Sequence, residues 1–275
     1  MNTKKIAVIL IAIAFTLIAI FSFIGLFSVK KVNVDFSVSA NTDTGEVQRV
    51  LDTALGANLL FYNTEDLKSV LKDYHYLEVL SVDKQFPNQI NVSIKERREV
   101  YYIINGSTVY VLTADGFVLN SFDASAFDGD VLRDKIMLSF DGIGVENIEL
   151  GKTLKTDNDQ AISAVFEIAK QVNLTDCIKS IAVEKVDGFS DVFDAKFTTY
   201  SGVSIFVQDV LYSKSSLQFI NAFNAYDKLN SDFMKCSGQI LAYFTDEDND
   251  GVYDGYKVIH NYDQKDVVLF QENLA

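Results

Sequence analysis

The acidic segment "DEDNDGVYDG", residues 246–255, has the residue types and spacing that best fit metal chemistry. Calcium prefers about six to eight oxygen ligands, and a glycine at the sixth position of a binding loop permits a sharp turn. Gly251 stands at that position here. The candidate ligands are four carboxylates and one backbone carbonyl: Asp246, Asp248, Asp250, Val252 through its carbonyl, and Asp254.

Two features of this segment argue against a strong site. Lys257 stands where a bidentate glutamate would normally close the loop, and the flanking residues are typical of strands rather than of helices. The interpretation stays open between a weak Ca²⁺ site and a solvated acidic turn that joins two strands. No other cofactor is predicted.

The remaining reactive side chains form no catalytic pattern. The sequence contains no GxSxG, HExxH, P-loop or GxGxxG motif, and its only histidines are His75 and His260. Cys177 and Cys236 are too far apart for a CxxC redox pair, which leaves a disulfide or two buried thiols. The run "KERRE", residues 95–99, is either an anion-binding patch or a solvated strand end. We therefore expect a protein that is not an enzyme.

An uncharged apolar stretch at residues 6–27 precedes all of these features. A helix needs about 20 apolar residues to cross a bilayer core, whereas the apolar part of a signal peptide is about 7–15 residues long. The stretch predicts an uncleaved transmembrane helix. Residues 32–275 then hold 20 basic and 38 acidic residues, a balance of −18. Such a charge excludes nucleic acid as a natural partner and fits an extracytoplasmic body.

The next part of the chain predicts a small β-α-α-β-β domain. Residues 32–38 alternate as a strand, Asp43 and Asn63 begin two amphipathic helices, and two further strands follow. Pro87, the only proline, has no N–H and a fixed φ angle, so it predicts the turn between those last two strands. The two helices should cover one face of a three-stranded sheet.

The rest of the chain predicts a larger mixed domain. Asn105-Gly106 and Asp115-Gly116 mark two hairpins among three short strands. Helices are predicted near 157–172 and 213–229, and strands near 178–186, 191–199, 202–208 and 238–245. The whole protein is therefore expected to be α+β.

Several segments in this order resemble the FtsQ/DivIB family of bacterial cell-division proteins. They are "FSVKKVNVD" after the apolar stretch, "GANLLFYNTEDLKSVL", "VDKQFPNQINVSIKER" and "VYVLTADGFVL", at residues 27–35, 56–71, 82–97 and 109–119. The resemblance implies a POTRA domain, then a β-domain, and a membrane-anchored scaffold of the divisome that binds FtsL and DivIC/FtsB-type proteins at the septum. The implied parts are a cytoplasmic tail (1–5), a transmembrane helix (6–28), the POTRA domain (29–97), the β-domain (98–262) and a C-terminal tail (263–275). The alternative is an anchored calcium-binding adhesin or sensor with no role in division.

The segment "GQILAYFT", residues 238–245, is the candidate for partner binding. Both of its faces are apolar or aromatic, so either a helix or a partner should cover the second face. The segment is then either a core strand without a partner or an edge strand that accepts a partner strand. The resemblance implies that this region of the β-domain receives the DivIC/FtsB-type partner. The predicted contacts are Ile240, Ala242, Tyr243 and Phe244, with the two aromatic residues as anchors.

Overall fold

The computed structural model describes residues 3–37, 43–126, 129–172, 176–229, 237–245, 255–262 and 265–273. It divides into two compact units, Met1–Arg97 and Arg98–Ala275. The division falls at the residue where the sequence analysis ends the POTRA domain. Residues 246–254 and Cys236 lie outside the described ranges.

The first unit begins with a helix and continues as a small α/β layer. Its elements are α1 (Thr3–Leu26), β1 (Lys31–Phe36), α2 (Thr44–Leu51), a 3-10 turn (Asp52–Ala54), α3 (Thr64–Val70), β2 (Leu77–Gln85) and β3 (Gln89–Glu96). Among the described residues, no helix has the combination of length and hydropathy needed to cross a membrane.

The three strands of this unit form one sheet in the order β1-β3-β2. The central strand β3 runs parallel to β1 and antiparallel to β2. Ile90, Val92 and Ile94 alternate along β3 with their side chains buried, and they share a core with Val47 and Leu67 from the two helices. The predicted β-α-α-β-β order is therefore the observed one.

Local signals in the sequence explain where these elements begin and turn. The Asp43 carboxylate accepts hydrogen bonds from the backbone N–H groups of Gly45 (2.8 Å) and Glu46 (3.3 Å), which caps α2 as predicted. Asn63 caps α3 in the same way, with a bond of 3.2 Å from Glu65. Pro87 lies in the turn between β2 and β3, also as predicted.

The second unit contains one ten-stranded sheet and two α-helices. Its elements are β4 (Tyr101–Asn105), β5 (Thr108–Leu112), β6 (Val118–Asp123), β7 (Ile136–Asp141), α4 (Asp159–Ala169), β8 (Ile178–Lys185), β9 (Phe193–Thr199), β10 (Ser204–Val207), α5 (Ser215–Asp227), β11 (Gln239–Thr245), β12 (Gly255–Tyr262) and β13 (Lys265–Asn273). The strand order is β13-β12-β11-β10-β9-β8-β7-β4-β5-β6. The β4–β7, β7–β8 and β10–β11 pairs are parallel, and the others are antiparallel.

One apolar core joins the two helices to the sheet. Phe166 of α4 stacks on Tyr101, with 5.2 Å between ring centroids, and Phe219 of α5 packs on Phe197 at 4.5 Å. Gly116 lies in the β5–β6 turn with a φ of +79°, and a Cβ atom there would come within 2.6 Å of Phe166. A glycine is therefore required at this hairpin for two independent reasons.

The structure corrects one domain boundary and adds two strands. The prediction of a C-terminal tail at residues 263–275 is wrong, because Lys265–Asn273 forms β13 and pairs antiparallel with β12. The strand β7 has no counterpart in the sequence prediction, whereas β12 follows the acidic segment, where a strand is predicted. The mixed α+β fold class itself is confirmed.

Candidate partner-binding surface

The predicted partner strand β11 is an interior strand of the sheet. It pairs with β10 on one side and with β12 along its whole length on the other, from Gln239↔Asn261 to Thr245↔Gly255. The prediction that a partner strand adds to β11 is therefore wrong, because both of its edges are already occupied.

The four candidate residues of β11 fall into two groups. Ile240 and Ala242 are buried in the core that β11 shares with α5, so their assignment as partner contacts is wrong. Tyr243 and Phe244 are half-buried and lie on opposite faces of the strand. A contact between either aromatic ring and a partner stays a prediction.

An aromatic row leads from Phe244 to the edge of the sheet. The ring of Phe244 lies 6.3 Å from that of Tyr256 on β12, and Tyr256 lies 5.6 Å from Phe270 on β13. On its other side Phe244 meets Tyr212 at 6.2 Å, and the Lys214 ammonium lies 4.6 Å from its ring centroid. The row therefore connects Phe244, on the interior strand β11, with the exposed Phe270 on β13.

The last strand, β13, has only β12 as its neighbour in the sheet order of the described strands. Its side chains Val268 and Phe270 are 50% and 46% exposed. An edge strand presents backbone N–H and C=O groups that a partner strand can pair with, and exposed apolar side chains beside it supply contact area. This edge is the best-formed candidate interface of the second unit.

A groove lies beside this edge, between α5 and the last two strands. Its volume is about 220 Å³. Residues of α5 and of the segment just after it line one wall, and apolar and aromatic side chains of β12 and β13 line the other. The lining residues are Asn221, Asn224, Ala225, Lys228, Leu229, Tyr256, Val258, Leu269 and Phe270.

A bulge in the β12–β13 pair shapes this groove. The register shifts between Val258 and Ile259: Val258 lies opposite Phe270, and Ile259 lies opposite Val268. Leu269 is the extra residue, and both Leu269 and Phe270 line the groove. The signal for β13 in the sequence is weak, because its apolar run, residues 267–270, is only four residues long.

The charged run "KERRE", residues 95–99, lies in the described part of the chain and makes contacts within the fold. Arg97 donates to the backbone carbonyls of His75 (3.2 Å) and Leu77, and Lys135 contacts Glu99 at 2.9 Å. Burial lowers the pKa of Lys135, but hydrogen bonds to Asp134 and Glu99 outweigh it and leave the pKa raised. These contacts indicate that part of the "KERRE" run stabilises the fold.

The proposed calcium ligands, Asp246, Asp248, Asp250, Val252 and Asp254, lie outside the described residues. Calcium binding there stays a prediction. The pairing of Cys177 with Cys236 also stays open, because Cys236 is outside the described residues as well.

Comparison with known proteins identifies the first unit. Residues 27–97 match the family model described as "POTRA domain, FtsQ-type". This match covers β1 to β3 and the two helices between them, so the unit is a POTRA domain that follows an apolar helix.

Relatives extend the similarity into the second unit. The cell division protein DivIB of Clostridium acetobutylicum is 23% identical over 136 residues, which cover 48% of this chain and 49% of that protein. DivIB of Clostridium botulinum is 20% identical over 177 residues, 64% of this chain and 66% of that protein. DivIB of Clostridium tetani is 21% identical over 135 residues, 49% of this chain and 48% of that protein. The chain thus matches about half to two thirds of the length of these relatives.

A solved structure of the major extracytoplasmic domain of DivIB from Geobacillus stearothermophilus aligns with 44% of this chain and 87% of that domain. Its identity is 13%, and its TM-score of 0.27 is too low to establish a shared fold. The POTRA match and the DivIB relatives place the sequence among cell-division proteins. The chain is therefore similar to proteins of the FtsQ/DivIB family through its FtsQ-type POTRA domain and its DivIB relatives.

Proposed function

We propose that this protein is a non-enzymatic, membrane-anchored scaffold of the divisome that binds FtsL and DivIC/FtsB-type membrane proteins during septum formation. The observation that carries the proposal is the FtsQ-type POTRA domain at residues 27–97, together with DivIB relatives whose similarity continues beyond it. A scaffold needs docking surfaces rather than a reactive centre, and the edge at β13 has the features of such a surface.

The anchor is proposed from the uncharged stretch at residues 6–27. The helix α1 has 24 residues, so its length is about 36 Å, and the hydrocarbon core of a bilayer is about 30 Å thick. The proposed topology has the amino terminus in the cytoplasm and residues 32–275 outside. Protease added to intact, wall-stripped cells should degrade the body, and a fully protected body would contradict this topology.

The proposed docking mode is addition of a partner strand to β13. Main-chain hydrogen bonds of the added strand would supply affinity, and its side chains would contact Val268, Phe270 and the adjacent groove. Phe244 packs against Tyr256, and Tyr256 packs against Phe270 of this surface. The assignment moves the partner contact from β11, which is covered, to the edge strand two positions away.

A localisation experiment tests the proposed function. A fluorescent fusion expressed at its native level should concentrate at mid-cell in dividing cells, and the DivIC-type protein should copurify with it after mild solubilisation. A uniform surface signal without copurification would contradict a division role and favour the adhesin or sensor alternative.

Calcium binding by the acidic segment is a separate proposal. Millimolar Ca²⁺ should raise the melting temperature of the protein, and the double variant Asp248→Ala, Asp250→Ala should lose that shift because two ligand carboxylates are gone. Isothermal calorimetry that detects no Ca²⁺ binding to the unmodified protein would leave the segment as a solvated turn.

A further inference from the structure

The chain segment that follows α1 is bound on two sides to loops of the POTRA domain. The N–H of Leu59 donates to the carbonyl of Phe27 at 2.7 Å, and the N–H of Lys30 donates to the carbonyl of Asn88 at 2.8 Å. The loop around residue 59 and the β2–β3 turn therefore both lie beside the end of α1. We call this end of the domain the proximal face.

The proximal face carries exposed apolar side chains. Phe61 is 85% exposed and Phe86 is 57% exposed, and Leu55 is exposed as well. The ring of Phe86 lies 6.2 Å from that of Phe27, which in turn lies 4.7 Å from Phe23 of α1. The apolar surface of the helix thus continues through aromatic contacts onto the domain.

The charge distribution of the proximal face is unusual for this chain. Residues 53–63 and 85–94, which form its loop, its turn and the adjoining strand, contain no charged residue, although charged residues make up 23% of the sequence. Lys30 and Lys31 are exposed next to it. The face therefore combines exposed apolar side chains with two neighbouring lysines.

The opposite end of the same domain differs. The connection from α3 to β2 lies there, because Leu77 at the start of β2 pairs with Glu96 at the end of β3. This connection exposes Lys72 and Asp73. The uncharged loop and turn are thus a property of the proximal face and not of both ends of the domain.

We propose that the proximal face rests in the headgroup layer of the bilayer that α1 crosses, with Leu55, Phe61 and Phe86 inserted and Lys30 and Lys31 against anionic headgroups. The proposal rests on the anchoring role proposed above for residues 6–27. The uncharged part of α1, residues 6–26, is about 32 Å long, which is close to the thickness of the hydrocarbon core. In the proposed anchor, the end of α1 and the loops bound to it therefore lie at headgroup depth. Aromatic and aliphatic side chains insert into this layer, and nearby lysines add attraction to anionic lipid.

The net negative charge of the body does not oppose this contact. Electrostatic interactions between exposed groups are largely screened beyond about 8–10 Å at physiological ionic strength. The charges next to the bilayer therefore matter most. Lys30 and Lys31 attract anionic headgroups, whereas Glu65 and Asp66, exposed at the start of α3 beside the loop, oppose that attraction. The contact is therefore carried chiefly by the exposed apolar side chains. A contact of this kind would fix the orientation of the POTRA domain on the membrane.

The absence of tryptophan from the sequence gives a direct test. A single Trp introduced by Phe61→Trp or by Phe86→Trp would be the only Trp in the full chain, at a site whose exposure makes the substitution tolerable. Phe15→Trp reports on α1. Leu80→Trp is the matched control, because Leu80 is 53% exposed but lies five residues from the end of β2.

The four full-length variants are reconstituted into vesicles of phosphatidylcholine and phosphatidylglycerol, with and without lipid brominated near the top of its acyl chains. Side chains held at the interface lie about 5–10 Å into the headgroup and acyl boundary, so we expect about half of the Trp emission at positions 61 and 86 to be lost. The Leu80→Trp control should keep its emission. Circular dichroism verifies that each variant is folded.

The outcomes separate the two proposals. Bromine quenching in Phe15→Trp without quenching at positions 61 and 86 would overturn membrane contact by the proximal face and leave the anchor intact. Emission at those positions that becomes shielded only when the DivIC-type partner is added would also overturn it, and would assign the face to a protein. Absence of quenching in Phe15→Trp would overturn the anchor and, with it, the proposed contact.

Discussion

The two edges of the ten-stranded sheet differ in how they are covered. At the β6 edge, the N–H of Val118 donates to the carbonyl of Lys152 (2.9 Å), and the carbonyl of Val118 accepts from Gly151 (3.0 Å). Phe117 also forms a bridge with Thr153. A segment of the chain itself therefore occupies the start of this edge.

At the β13 edge, exposed apolar side chains and a groove take the place of such a cover. Val268 and Phe270 are exposed there, and the groove between β13 and α5 lies next to them. Natural proteins usually protect edge strands with charges, bulges or covering loops, because a bare edge pairs with other chains. β13 has a bulge at Leu269 and charged residues near its ends, but its middle exposes the apolar side chains of Val268 and Phe270. The comparison teaches that β6 is protected within the chain, whereas β13 has the character of a docking strand.

The largest effect is expected from charging the β13 edge. The double variant Val268→Lys, Phe270→Lys should weaken binding of the extracytoplasmic segment of the DivIC-type partner by about 100-fold, which corresponds to about 2.7 kcal/mol. Lysines on an edge oppose strand addition, and the aromatic anchor is lost. Fluorescence anisotropy with a labelled partner segment measures the affinity.

The matched control charges the other edge. Asn120 is exposed on β6, and Asn120→Lys should leave partner affinity unchanged. If Asn120→Lys weakens binding as much as the β13 variant does, the two edges are equivalent for the partner and the comparison fails.

Phe244→Ala should act on stability first. Its ring contacts Tyr212, Tyr256 and the Lys214 ammonium, so its loss should lower the free energy of unfolding of the second unit by about 2 kcal/mol. Urea denaturation followed by circular dichroism measures this change. A fully stable Phe244→Ala variant that binds partner poorly would show that Phe244 contacts the partner directly, as the sequence first suggested.

Phe270→Ala should show the opposite balance. The side chain is half exposed at the edge, so the free energy of unfolding should fall by less than about 1 kcal/mol. Partner affinity should fall about tenfold, because aromatic residues dominate interface energies. The anisotropy and denaturation measurements above separate the two. Unchanged affinity would remove Phe270 from the interface.

The smallest effect concerns the inner end of the aromatic row. Lys214→Met removes the cation–π contact with Phe244, which is worth about 0.5–1 kcal/mol at an exposed site. The melting temperature should fall slightly while partner affinity stays the same. Lys170→Met serves as the control for loss of a positive charge, because Lys170 is an exposed lysine at the end of α4.

Much of the POTRA domain could be predicted from its sequence because its determinants are local. Asp43 and Asn63 cap the helices through bonds within three residues, and Pro87 punctuates a hairpin between adjacent strands. Leu67, Val70, Leu71 and Tyr74 recur at helical spacing and predict a longer helix, but α3 ends at Val70, and Leu71 is buried just beyond it. Tertiary packing there replaces the expected helical turn.

The β-domain could be predicted less completely because its strand order is not local. β7 lies between β4 and β8 in parallel pairs with partners more than thirty residues away, and its short sequence "IMLSFD" gives little periodic signal. The edge position of β13 likewise depends on its pairing with β12, which no local pattern encodes. The sequence pattern predicts Tyr243 and Phe244 as partner contacts on an edge strand, whereas β11 is an interior strand of the sheet.

Amide hydrogen exchange with and without partner tests docking at β13 most directly. The full-length protein in nanodiscs is compared with the same sample after saturation with the extracytoplasmic segment of the DivIC-type protein. An added strand protects the outward N–H groups of the strand it joins, so peptides covering residues 265–273 should exchange more slowly, and peptides covering residues 118–123 should not change. Protection at residues 118–123, or saturated binding without protection at residues 265–273, would contradict docking at β13.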